Sequence, residues 1–145
     1  MTKHWSCYLA CLSVMLLSAA PVSACDVKVS DAWIREAPPG MMTSAGYATL
    51  TNPTDKSISI THLQSPVFTE VQMHETVMEN GMASMHAVES LLLAPHQTRE
   101  FKPGGLHFMM MGASKPLRRG DKVKVELKDQ SGCVTEVSFV VRAMQ

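Results

Sequence analysis

The sequence carries no excess of charge of either sign: 13 Lys and Arg residues balance 13 Asp and Glu over 145 residues. A nucleic-acid or anionic-membrane partner favours a basic face, so neither gains support from this balance. The chain also lacks a Gly-rich phosphate loop, a nucleophile motif and paired catalytic carboxylates, and no catalysis is expected. It shows no long helical period, internal repeat, low-complexity tail or inter-domain linker, which argues for one domain that is not helical. Beyond its first part, no apolar run approaches the roughly 20 residues of a membrane span. Cysteine is scarce: Cys7 and Cys11 near the start, then only Cys25 and Cys133.

The first part reads as a targeting segment rather than as structure. Lys3 lies in a short start, Cys7 to Ala20 is apolar and nearly uninterrupted, and Pro21 breaks the run before Val22-Ser23-Ala24. This layout predicts a cleavable signal peptide over residues 1–24 and export to the periplasm. The alternative, an uncleaved anchor, meets the difficulty that the apolar run is short for a span. The mature domain is then 25–145, with a formal charge near −1 (12 basic minus 13 acidic residues once Lys3 is removed). A chain of this size holds a single core. Its two cysteines are expected to pair in an oxidising compartment, tying the new N-terminus to the last hairpin. The rival is a lipid anchor at Cys25, because Val22-Ser23-Ala24-Cys25 resembles a lipoprotein box; that would leave Cys133 as an odd thiol. A soluble monomer is expected, with the lipid anchor as the variant.

The mature part reads as strands and turns. An extended segment from Val27 to Arg35 ends at Ala37-Pro38-Pro39-Gly40, which suits neither strand interior nor helix. Ala45 to Asn52 is rich in strand formers, Ser57 to Leu63 alternates, and Val67 to Val77 is a further extended run. Glu89 to Ala94 ends at Pro95, and Gly105 to Met111 follows Pro103-Gly104. Val123, Val125 and Leu127 alternate with Lys and Glu, and Val137, Phe139 and Val141 alternate after the Gln130-Ser131-Gly132 turn. The expected fold is all-β: an antiparallel Greek-key sandwich or barrel.

Methionine is what the sequence has in plenty: 12 residues, ten of them after residue 24. Methionine usually fills awkward gaps in a core, yet several of these fall within a few residues of a histidine. On a strand alternate residues share a face, so His107 and Met109 point one way while Phe108 and Met110 point into the core. Asn80-Gly81 predicts a type I′ hairpin. With those two as the loop, Glu79 faces Met82, Thr76 faces Met85 and Glu75 faces His86. His74 then shares a face with Met85, at a diagonal of roughly 7–8 Å, and His86 lies on the other face. The candidate metal set is therefore His74, Met85, His107 and Met109. Thioethers and imidazoles together select Cu(I); Mg²⁺ and Ca²⁺ want oxygen, and zinc more usually recruits Cys, His or carboxylate. Outside the cytoplasm methionine cannot be lost to a disulfide and needs no deprotonation.

The remaining candidates have plainer readings. His62 reads as a surface or partly buried strand histidine, and His96 beside Pro95 as a solvated turn residue. Met110 and Met78 read as packing. Met111 shares the face of His107 and Met109, and its role is left open. Met41-Met42, in a loop, is entertained as an outer cover.

The spacing His74-x10-Met85-x21-His107-x-Met109 resembles the H-x10-M-x21-H-x-M pattern of the periplasmic copper A chaperone family, PCu(A)C. Ala32-Trp33-Ile34-Arg35 with Pro38-Pro39-Gly40, Ala45-Gly46-Tyr47 and Met78-Glu79-Asn80-Gly81 resemble that family's other landmarks, so the likeness covers nearly all of the mature chain. The resemblance implies a cupredoxin-like fold holding one Cu(I) at a shallow site. It also implies delivery to the CuA site of cytochrome c oxidase, directly or through a thiol-type assembly protein. Some members carry a His/Met-rich tail; the sequence reads Ala143-Met144-Gln145 at its close, so a second copper site on such a tail is not expected. Two rivals to a chaperone are a periplasmic copper buffer and a structural β-sandwich with a Met-rich core. A blue-copper electron carrier needs a thiolate with two histidines, and Cys133 follows His107 with no histidine after it.

Overall fold

The computed structural model describes residues 25–143. The expected signal peptide over 1–24, together with Met144 and Gln145, lies outside the described residues. The strands are β1 (Lys28–Arg35), β2 (Ser44–Thr51), β3 (Ile58–Gln64), β4 (Phe68–Glu79), β5 (Met82–Val88), β6 (Leu91–Leu93), β7 (Thr98–Phe101), β8 (Leu106–Ala113), β9 (Lys122–Asp129) and β10 (Val134–Arg142). No helix occurs among the described residues. The strands hydrogen-bond in the order β5-β4-β8-β2-β1-β10-β9-β3-β6, with β7 pairing β2 beyond the β8 contact. Because β3 also packs against β4, this continuous sheet turns over on itself and encloses the core, as the expected all-β sandwich requires.

The inner faces carry what period-2 patterning predicts. Val123, Val125 and Leu127 of β9 and Val137, Phe139 and Val141 of β10 are buried. At the centre Phe108 stacks on Phe101, with ring centroids 4.2 Å apart, and meets Phe139 edge-on at 5.7 Å. Each such ring contributes roughly 1.5–3 kcal/mol by leaving water. Met110 is fully buried beside them and fills the space above Gly46, where a Cβ would lie 2.6 Å from its Cε.

Three features depart from the plain antiparallel reading. The pairing of β1 with β10 is parallel, which joins the first strand to the last. β7 was absent from the sequence-based strands: Thr98–Phe101 carries one apolar anchor, Phe101, and pairs with β2 through a partner about fifty residues away in the chain. A bulge interrupts β1 between Ser30 and Trp33, with Asp31 at φ 50°. The extra residue shifts the alternation, so Val29 and Ile34 both turn toward the core although one number is odd and the other even. It thereby sends Trp33 and Arg35 to the outer face.

The start of the described residues is tied down by the cysteine pairing that the sequence suggested. Cys25 and Cys133 form a disulfide with Cα atoms 5.6 Å apart. One buried polar residue organises the far end: Asn52 donates through Nδ2 to the carbonyls of Lys56, Leu93 and Ala94, and its Oδ1 accepts from the Thr54 amide and hydroxyl.

Candidate metal centre

Asn80 and Gly81 adopt φ 51° and 80°, the left-handed pair a type I′ turn demands. The hairpin they close has the expected register, Glu79 opposite Met82, Thr76 opposite Met85 and Glu75 opposite His86. On the other side of β4 the ladder to β8 sets His74 directly opposite His107 and Gln72 opposite Met109. Residues opposite each other in an antiparallel ladder share a face. His74, Met85, His107 and Met109 therefore lie on one face of three adjacent strands, with His74 in the middle. It is the outer face, because Val71 and Met73 of β4 and Phe108 and Met110 of β8 occupy the core side.

The four differ in their contact with solvent. His107 is buried, His74 and Met109 are partly buried, and Met85 is 60 % exposed. The His74 and His107 ring centroids stand 5.8 Å apart at 58°, a spacing suited to converging on an atom between or above them. The Nδ1 of His107 donates to the Gly105 carbonyl at 3.0 Å, which leaves its Nε2 lone pair free. The Nε2 of His74 lies 2.8 Å from Gln72 Oε1. Its Nδ1 is buried with no hydrogen-bond partner. A buried acceptor without a partner calls for an explanation, an absent ion among them. Burial, and secondarily the neighbouring His107, hold the His74 pKa below the usual 6.5 against a smaller opposing pull from Glu70. His74 is thus prepared as a neutral donor, the form that binds metal. Nitrogen and thioether donors with no carboxylate among them fit a soft monovalent cation.

Other residues fall into place around this face. Phe108 and Met110 are core, and Met111, opposite Glu70, shares the outer face. Met78 is a correction: read as packing, it is 70 % exposed. It stands on the donor face beyond Thr76, at the hairpin tip, where no other strand covers it. His86 lies on the opposite face, 3.6 Å from Glu79. His62, beside a bulge in β3, is exposed, and His96 bonds Asp55 in a turn. The Met41-Met42 cover is not formed over the histidines. Met42 is tethered by its carbonyl to the Ala113 amide, six residues along β8 from His107, roughly 20 Å in a strand.

Sequence reasoning missed Gln72 and Glu70, although Glu70, Gln72 and His74 follow the same period of two that picked out His107 and Met109. It also missed what flanks the site on β2 and β1. Ala45 pairs with Met109, so Tyr47 shares the donor face. Trp33 packs on Tyr47 at 4.5 Å, with the Arg142 guanidinium 5.4 Å over the Trp33 ring.

The fold is that of a PCuAC-type β-sandwich. The structure described as a copper-bound PCuAC domain from PmoF2 superposes with a TM-score of 0.70 over 84 % of this chain and 97 % of that one; at 20 % identity the likeness is one of fold. The Cu(I) solution structure of DR1885 from Deinococcus radiodurans matches with a TM-score of 0.67 at 31 % identity, over 85 % of this chain and 83 % of that one. The family model described as "Putative lipoprotein LpqE-like" matches residues 27–141, and the chain belongs to this LpqE-like family. A relative from Leifsonia xyli subsp. xyli (strain CTCB07), "Putative lipoprotein Lxx21020", is 32 % identical over 117 residues, which are 80 % of this chain and 69 % of that protein.

Proposed function

We propose that this protein is an exported, periplasmic copper carrier. It holds one Cu(I) with His74, Met85, His107 and Met109 and passes it to the CuA centre of cytochrome c oxidase or to a thiol-bearing assembly partner. The observation that carries this reading is the opposed His74–His107 pair, with a buried unpartnered nitrogen on His74, on the same outer face as Met85 and Met109. The copper named in the descriptions of the DR1885 and PmoF2 structures supports the choice of metal.

The chemistry is ligand exchange without redox change. Thioethers bind Cu(I) without the deprotonation that a thiolate ligand requires. Met85, on the exposed hairpin, is the donor an incoming ligand reaches first. Displacing it leaves copper held by the less exposed His74, His107 and Met109 until the acceptor supplies enough ligands of its own.

Two rivals meet specific obstacles. A blue-copper carrier requires a cysteine thiolate, and Cys133 is bonded to Cys25. A sandwich that uses methionine only as packing does not account for Met41, Met42, Met78, Met82 and Met85 standing exposed.

The test is a Cu(I) titration of the mature protein against a competing chelator, beside a Met85→Ala/Met109→Ala double variant. One tight Cu(I) per chain, lost in a variant that stays folded, is expected. Equal binding by the two proteins rejects the site. Copper transfer to an apo CuA domain separates carrier from buffer: transfer no faster than release to free chelator leaves only buffering.

A further inference from the structure

We propose that Gln72, itself held by Glu70, is a positioning residue that fixes the tautomer of His74 and so selects Nδ1 as the nitrogen offered to the metal. This rests on the carrier reading for the identity of the metal, while the tautomer belongs to the metal-free protein.

Glu70, Gln72 and His74 occupy alternate positions of β4 and share its outer face. Gln72 Nε2 donates to Glu70 Oε1. A carboxylate only accepts, so this bond settles which end of the Gln72 amide is nitrogen. The amide oxygen is thereby turned to His74 and accepts from its Nε2 at 2.8 Å. A neutral imidazole has one ring proton. With that proton on Nε2, the lone pair is on Nδ1, the atom found buried and without a partner.

His107 is set the opposite way. The Gly105 carbonyl accepts from its Nδ1, so its free nitrogen is Nε2. The two facing histidines consequently present unlike nitrogens, each chosen by a separate oxygen acceptor. Outer partners of this kind orient metal-bound imidazoles and raise their basicity. Gln72 Oε1 is the hydrogen-bond partner of His74 Nε2 among the described residues; without it, part of the population would carry a proton on Nδ1, the nitrogen proposed for the metal.

The experiment reads the imidazole nitrogens of the metal-free mature chain by long-range ¹⁵N–¹H correlation NMR, and then Cu(I) affinity by chelator competition. Wild type is expected to show His74 protonated on Nε2 and His107 on Nδ1. Gln72→Leu, which removes the acceptor, is expected to give a mixture of tautomers at His74 alone and to weaken Cu(I) binding by roughly 10–100-fold. Gln72→Glu restores an acceptor and is expected to recover both signals, which separates this role from simple packing. A His74 tautomer unchanged in Gln72→Leu overturns the positioning role. A changed tautomer with unchanged affinity overturns its bearing on the metal. Wild-type protein that binds no Cu(I) overturns the carrier reading and the metal half of this proposal, while the copper-free spectra still decide the tautomer half.

Discussion

A Cβ on Gly46 would lie 2.6 Å from the Cε of Met110, a residue with no exposure to solvent. Gly46 sits opposite Phe108 on one side and Ile34 on the other, so the thioether reaches over a gap that only glycine leaves. Gly46→Ala is expected to destabilise the protein by about 1–3 kcal/mol through overpacking. Adding Met110→Val, which shortens the clashing side chain, is expected to recover part of that loss. Urea unfolding of the two singles and the double gives the coupling; strict additivity would show that the two residues do not meet.

Asn52 makes a second, independent stability prediction. Asn52→Ala removes the donor to three backbone carbonyls and the acceptor for Thr54, and a cost of about 2–4 kcal/mol is expected from groups left unsatisfied. The residue lies at the junction of β2 with the β6–β7 turn, away from the donor face, so Cu(I) affinity should be unchanged in the folded variant. Affinity falling with stability would show that the two ends of the sandwich are coupled.

The lowered pKa of His74 sets a pH dependence with a definite sign. Its ordinary value is 6.5 and its folded value lies below that, for reasons of burial first and His107 second. Between the two values the unfolded chain binds the proton and the folded chain does not. The contribution to stability is therefore complete above 6.5 and is lost as pH falls through the folded value. Metal-free wild type should lose more stability on moving from pH 7 to pH 5 than His74→Gln does. A matching loss in the two proteins would mean that burial does not hold His74 neutral.

Methionine exposure predicts an order of oxidation. Met78 and Met82 are each 70 % exposed, whereas Met110 is fully buried. Dilute peroxide followed by peptide mass analysis should convert Met78, Met82 and Met85 to sulfoxide before Met73 and Met110. Bound Ag(I), a soft stand-in for Cu(I) that peroxide does not oxidise under these conditions, should protect Met85 and leave Met78 reactive. Protection of Met78 as well would enlarge the site beyond the four donors.

The parts legible in the sequence were those fixed by local chemistry. Asn80-Gly81 announces its turn because few residue pairs tolerate two positive φ values, and the register of Met85 against Thr76 follows from counting outward. The alternation of Val123, Val125 and Leu127 with Lys and Glu marks β9, and the period-2 run Val137, Phe139 and Val141 marks β10, without any partner being known. What stayed hidden depends on pairing across the chain. Asp31 does not advertise the bulge that turns Trp33 outward. Thr98–Phe101 becomes a strand because β2 lies beside it. Met78 looked like core until the hairpin tip proved to have nothing over it. Gln72 and Glu70 had the right spacing, but an amide and a carboxylate next to a histidine are ordinary surface residues until a hydrogen-bond chain links them.

The ladder order β5-β4-β8 has a consequence for sequence of events. Met85 is brought to His74 by its own hairpin, but His107 and Met109 reach them only when β8 has docked along β4, more than thirty residues later in the chain. An unfolded or partly folded chain holds at most a fragment of the donor set. On the proposed donor set, tight loading would therefore follow the docking of β8, and a bound ion would act as a clasp across β4 and β8, visible as a melting temperature that climbs with metal concentration.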